Sequence, residues 1–190
     1  MKTHTSRQSQ LKPLCIDLDK TLVNQDVFRR TMAVWISRRC KPWIGWPSLN
    51  RNDFKEWLYR NVNLGSIEWT LNSEVVSLMN KSRQEGRNVV LITGNSKAAA
   101  EFFASQLAAV TLILPSSKEV AFKGIRKLRK LEELFGIYNF DYIGDSINDL
   151  PIWRASNQAY ILRKNGYALR IMLFALNGVR NKPILLIPDK

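Results

Sequence analysis

Short apolar runs recur along this chain, separated by longer stretches of helical spacing, and that rhythm limits the fold more than any single motif. The runs are Leu14 to Ile16, Asn88 to Ile92, Val110 to Leu114, Phe140 to Ile143 and Ala159 to Leu162. Short runs without polar alternation suit strands buried on both faces. Ser73 can cap a helix that reaches about Glu85 and stops at Gly86. Ser96 to Leu107 carries Ala98, Ala99, Phe102, Phe103 and Leu107 as its apolar positions. Gly124 to Phe135 sets Ile125, Leu128, Leu131 and Leu134 on one face before Gly136, and Asn148 to Ala155 reads as a short helix. Strands alternating with helices predict an α/β fold, a doubly wound parallel sheet covered on both faces.

Between the first two runs the composition changes. Residues 26–71 hold five of the six tryptophans, with Val27, Phe28, Met32, Trp35 and Ile36 at helical spacing. Lys41 to Pro47 breaks that helix, and Phe54, Trp57, Leu58 and Val62 suggest a second. The expected organisation is a disordered leader at 1–10, a core at 11–25 and 72–190, and a small helical cap at 26–71 inserted after the first strand. The five tryptophans are expected as packing and lid residues rather than ligand-stacking ones.

Composition excludes several classes. At 190 residues, 45% hydrophobic and 24% charged, the chain can build a core, so wholesale disorder is ruled out. Its longest apolar stretches, Ile171 to Leu176 and Ile184 to Ile187, fall well short of the roughly 20 residues a membrane span needs. The polar start has no secretory character, and Cys15 and Cys40 cannot make a disulfide framework, so a cytoplasmic setting is the default. A single histidine, His4, rules out a multi-histidine metal site. The net charge of +13 draws anions: phosphorylated small molecules, nucleic acid or an anionic membrane surface. No basic-aromatic motif favours specific nucleic-acid binding.

Sites in open parallel sheets form beyond the carboxyl ends of the strands. Three of the expected strands end in reactive groups: Asp17-Leu18-Asp19-Lys20-Thr21-Leu22, Thr93-Gly94-Asn95-Ser96, and Gly144-Asp145-Ser146-Ile147-Asn148-Asp149. If these strands are neighbours, four carboxylates meet, and their mutual repulsion calls for a cation. All-oxygen ligands favour Mg²⁺, with Asp17, Asp19, Asp145 and Asp149 as candidate metal residues. The constellation suggests phosphoryl transfer through an aspartyl-phosphate. Asp17 would attack phosphorus, and Asp19 would protonate the leaving oxygen and then activate water. Thr93 would hold a phosphoryl oxygen, with Gly94 and Asn95 as phosphate-binding neighbours. A lysine would offset the charge, either Lys127, which is preferred, or Lys123 four residues earlier.

These motifs resemble those of the haloacid dehalogenase-like (HAD) hydrolase superfamily. Asp17 to Thr21 is similar to its DxDxT motif, Ile92-Thr93-Gly94 to its second motif, and Gly144-Asp145 through Asp149 to its GDxxxD motif. The resemblance covers about residues 11 to 162. It implies a HAD-like Rossmannoid core, phosphatase activity from the second aspartate at Asp19, and Mg²⁺ held by Asp17, Asp145 and the backbone carbonyl of Asp19. Lys20 stands where many members carry glycine. A closer resemblance is to the HAD-like domains fused ahead of membrane prenyltransferases, carried by Pro13 to Asp19, Phe140 to Ser146 and Asp149 to Trp153. It implies a stand-alone version of such a domain, with a phospho-sugar or polyprenyl-linked phosphate as substrate.

The same residues admit plainer readings. Asp145 or Ser146 could merely cap a helix. Arg29, Arg30, Arg38 and Arg39 form either a solvated face or a grip for a second phosphate or lipid headgroups. Tyr167 to Val179 reads as a final core helix, or as an interfacial helix on anionic lipid. Residues 154–190 hold seven Lys or Arg against one Asp. The alternative function is therefore a non-catalytic basic adaptor that docks on an anionic membrane or a prenyltransferase partner. Cys15 is expected as a small core residue; Cys40, between Arg39 and Lys41, could have a lowered pKa but lacks an evident catalytic partner.

Overall fold

The computed structural model describes residues 11–38, 50–117, 122–163, 170, 173–177 and 184–188. Six parallel strands form one sheet in the order β3-β2-β1-β4-β5-β6. They are β1 (Leu14–Ile16), β2 (Val89–Thr93), β3 (Leu112–Pro115), β4 (Asp141–Gly144), β5 (Ala159–Arg163) and β6 (Ile184–Pro188). The helices are α1 (Val27–Ser37), α2 (Arg51–Asn61), α3 (Ser73–Gln84), α4 (Lys97–Ser105), α5 (Ile125–Phe135) and α6 (Leu150–Ala155). The doubly wound parallel fold is thus present, and the strand order reverses between β1 and β4.

Period-two alternation divides the strand side chains between two apolar layers. Leu14, Ile16, Val89, Leu91, Ile143 and Tyr160 join one cluster, with Val75, Met79 and Phe103 from α3 and α4. Cys15, Val90, Ile92, Tyr142 and Ile161 join the other, with Leu128, Leu131, Ile152 and Trp153 from α5 and α6. Cys15 is fully buried, as a small core residue should be.

The segment between β1 and α3 shares the first layer. Phe54, Leu58 and Tyr59 of α2, with Val62 just after it, are buried in the same cluster as Leu14 and Ile16. Trp57 stacks on Phe54 with ring centroids 6.0 Å apart and meets Trp35 edge-on at the same distance. Trp69 meets Phe103 edge-on at 5.2 Å. These three tryptophans therefore pack within the protein; Trp43, Trp46, Arg39, Cys40 and the expected break at 41–47 lie outside the described residues. Glu56 of α2 accepts a hydrogen bond from the Ala98 N–H at 3.2 Å, in the first turn of α4, and so ties the inserted helix to the core.

Several expectations shift in detail. Asn72, not Ser73, caps α3, because its carboxamide accepts the N–H groups of Glu74 and Val75. The helix expected from Asn148 begins as a 3₁₀ turn, Ile147–Asp149, and continues as α6 with Pro151 in its first turn. Ile184–Pro188, seen in the sequence only as an apolar run, pairs in parallel with β5. The expected C-terminal helix is helical over 173–176, and much of its span lies outside the described residues.

The amino ends of the central strands are closed by a buried ion pair. Asp141, at the start of β4, bonds to the Arg87 guanidinium. It also accepts from the Asn157 amide at 2.8 Å and the Gln158 N–H at 3.1 Å. Arg87 donates in turn to the Lys12 carbonyl at 2.7 Å. Arg87→Met leaves a buried carboxylate without its cation, so unfolding in guanidinium should show a loss of about 3 kcal/mol.

Candidate active site

Asp17 follows β1 and Asp145 follows β4, so two acidic chain ends leave adjacent strands at the point where the sheet order reverses. The turn after β4 brings Asp149 back toward them. One carboxylate oxygen from each of Asp17, Asp145 and Asp149 lies within 4.8 Å of the other two. Ser146 caps this turn, accepting the Asn148 N–H, while Asp149 accepts the Ser146 N–H at 3.3 Å. Gly144 makes the closeness possible. A Cβ there would sit 2.7 Å from the Asp149 Oδ2 and 2.8 Å from the Tyr142 ring.

A buried cation faces these acids. The Lys127 ammonium lies 2.9 Å from the Asp17 Oδ1 and 4.0 Å from the Asp149 Oδ1. It donates to the Tyr142 hydroxyl at 3.1 Å, which donates to the Asp149 Oδ1 at 3.0 Å. Burial pulls the Lys127 pKa down, but Asp17 and Asp149 outweigh it and hold the ammonium charged. Burial pushes the Asp149 carboxyl up to about 6, Lys127 opposes that rise, and Asp17 and Asp145 add to it. The Leu18 N–H also donates to the Asp17 Oδ1, at 2.9 Å. Among the described residues the bonds to Asp17 thus gather on Oδ1.

Asp19 sits on the other side of Asp17. Its carboxylate accepts the Val27 N–H at 2.8 Å, at the start of α1, and the Asn95 amide at 2.7 Å. Burial, then the charge of Asp17, raises its pKa to about 6 against the pull of the Val27 bond. Thr93 ends β2 fully buried, its hydroxyl accepting the Asn95 N–H at 3.0 Å. The Asn95 carboxamide oxygen accepts the Tyr59 hydroxyl at 2.7 Å and the Lys55 ammonium at 3.2 Å, so α2 reaches the Asp19 side of the site. A Cβ on Gly94 would lie 3.2 Å from the Phe122 carbonyl oxygen.

The two candidate lysines separate. Lys127 joins the carboxylates, whereas Lys123 lines a cavity of about 390 Å³ next to Asp19. Lys20 adopts the left-handed backbone, φ 54°, where the resembled family often carries glycine. Tyr142, Lys55 and Tyr59 carry no motif signal. Alternation along β4 and helical spacing along α2 could have marked them only as core positions, since their polar partners are remote in sequence.

The donor set suits a hard divalent cation: three carboxylates, no nitrogen or sulfur ligand, and repulsion that Lys127 only partly offsets. These residues therefore fit Mg²⁺.

No protein-family model matches the chain. The uncharacterized protein y4nM of Sinorhizobium fredii (strain NBRC 101917 / NGR234) is 29% identical over 158 residues, 79% of this chain; the chain spans 30% of that protein's length. A phospho-aspartyl intermediate analogue of phosphoserine phosphatase superposes with a TM-score of 0.57 at 12% identity, covering 95% of each chain. A HAD family hydrolase from Salmonella enterica subsp. enterica serovar Typhi gives 0.58 at 11% identity, over 84% of this chain and 66% of that one. These likenesses define the fold as that of the HAD-like hydrolases.

Two measurements follow from this geometry. Saturating Mg²⁺, at about 100 times its Kd, should add about 2.7 kcal/mol. That raises Tm by roughly 5–10 °C in a chain of this size, and Asp145→Asn should lose the gain in the same thermal scan. Lys20→Gly should raise the unfolding free energy read from a denaturant titration by about 0.5–1 kcal/mol, because the left-handed backbone no longer carries a Cβ.

Proposed function

We propose that this chain is a Mg²⁺-dependent phosphomonoester hydrolase that works through an aspartyl-phosphate on Asp17. The observation that carries this reading is the convergence of Asp17, Asp145 and Asp149 within 4.8 Å, with Lys127 2.9 Å from Asp17. The fold shared with phosphoserine phosphatase supports it.

Asp17 Oδ2 attacks phosphorus, the ester P–O bond breaks, and Asp19 gives its proton to the departing alkoxide. Asp19 then takes a proton from water, which attacks the phosphoryl group, releases inorganic phosphate and restores the Asp17 carboxylate. Its pKa near 6 allows Asp19 to hold or release that proton close to neutral pH. The Val27 N–H and the Asn95 amide keep its carboxylate oriented. Lys127 offsets charge on Asp17 and the phosphoryl oxygens, and Thr93 with the Gly94 backbone borders the phosphoryl side. Asp17, Asp145 and the Asp19 carbonyl would hold Mg²⁺, with Asp149 supporting them, and the ion would neutralise the charge of the incoming phosphate.

Residues 26–71 act in this reading as a substrate-selecting cap, since Phe28, Arg29, Arg51 and Lys55 line the cavity beside Asp19. The substrate is a phosphorylated small molecule. Of the two kinds implied by the family resemblance, the phospho-sugar suits this polar lining better than a polyprenyl-linked phosphate. A non-catalytic basic adaptor has less support, because docking requires no convergence of buried acids around a lysine. A cytoplasmic setting and contact of the basic segment 154–190 with an anionic membrane or a prenyltransferase partner are further proposals. Among the described residues no helix is long and apolar enough to cross a membrane.

Hydrolysis of para-nitrophenyl phosphate tests the reading. Asp17→Asn should lower kcat by at least ~1000-fold with the circular dichroism spectrum intact. Lys127→Met should lower it roughly 100-fold, and chelation of Mg²⁺ should abolish turnover reversibly. Full activity in Asp17→Asn would refute the nucleophile.

A further inference from the structure

Beyond Asp19, away from the phosphoryl end, the charges change sign. The cavity there is lined by Arg29, Arg51, Lys55 and Lys123, against Asp19 and Asp26. Both acids are already engaged within the protein. Asp19 accepts from Val27 and Asn95, and Asp26 caps α1 by accepting the Arg29 N–H at 2.9 Å. Arg29 approaches the Asp26 carboxylate only at 3.9 Å with its side chain 81% exposed, a weak pair. Among the described residues no carboxylate comes within ion-pair distance of Lys55, Arg51 or Lys123.

Lys55 is the least expected of the three. It is 5% exposed, yet among the described residues its ammonium has two acceptors, the Gly94 carbonyl and the Asn95 carboxamide, both at 3.2 Å. An ammonium has three N–H donors, so one remains at the cavity wall. Burial lowers its pKa; Asp19 opposes that fall, and the like charges of Arg51 and Lys123 deepen it. A cation cluster of this kind is costly unless an anion completes it.

We infer that the alcohol half of the substrate carries a second anionic group, a carboxylate or a second phosphate, held by Arg51 and Lys55 with Lys123 alongside. The inference rests on the hydrolase reading and names its substrate class. The cavity of about 390 Å³ is of small-molecule size. Phe28, one of its lining residues, faces the Lys55 ammonium at 5.5 Å from the ring centroid. The two ends of the site are thus complementary to a molecule with an anion at each end, and Asp19 lies between them at the ester oxygen.

The test pairs substrates that share a skeleton and differ in the second charge. 3-Phosphoglycerate is compared with glycerol 3-phosphate, and fructose 1,6-bisphosphate with fructose 6-phosphate. Both kcat/KM and calorimetric affinity in Mg²⁺ are measured, for the wild-type chain and for Arg51→Gln. In at least one pair the doubly anionic member should be favoured roughly tenfold or more, and Arg51→Gln should bring that ratio close to one. The pair that responds identifies the second group as carboxylate or phosphate. Equal values within both pairs, or a preference that Arg51→Gln leaves intact, overturns the inference. If para-nitrophenyl phosphate and all four esters resist hydrolysis, the hydrolase reading fails, and the calorimetric ratios still decide whether the anion subsite exists.

Discussion

Three carboxylates held within 4.8 Å of one another repel, and the rest of the site is arranged around that repulsion. Lys127 counters part of it from α5, and the Tyr142 hydroxyl spans the gap between that ammonium and Asp149. Gly144 gives up a side chain so that Asp149 can fold back over the end of β4. What the protein's own lysine leaves uncompensated is a demand for positive charge of the kind a divalent cation would supply.

The fold creates this crowding through strand order. Because β1 pairs with both β2 and β4, the chain ends carrying Asp17, Thr93 and Asp145 emerge side by side at one edge of the sheet. The opposite edge holds Arg87 and Asp141, a pair closed by hydrogen bonds from Asn157 and Gln158. One end of the sheet is therefore neutralised within the protein, while the other keeps its charges for something outside it. The inserted helices extend the second pattern. Through Lys55, Tyr59 and Asn95, α2 is joined to Asp19, so residues of the inserted helix belong to the same hydrogen-bonded network as that carboxylate.

Much of this was legible in the residues. Asp17-Leu18-Asp19 and Gly144-Asp145 with Asp149 stand where apolar runs end, which is where a parallel sheet builds its sites. Other features were not. Spacing alone left Lys123 and Lys127 open, since residues four apart share a helical face; the pairing to Asp17 separates them. Ile184–Pro188 became a strand only through β5, because a short apolar run near prolines has no local signature of its own. Lys55 resembles any lysine on an amphipathic helix until the burial of α2 against the sheet turns it inward.

What the amino-acid sequence determined by itself was local: the alternation of strand and helix, and the identity of the acids, hydroxyl and glycines at each strand end. Those depend on side-chain periodicity and on backbone preferences that act over a few residues. The tertiary structure alone decided which strands are neighbours, which lysine meets Asp17, and how four cations come to face one cavity beside Asp19. Such juxtapositions join residues tens of positions apart. They arise only when burial of two apolar layers selects one packing of the whole chain.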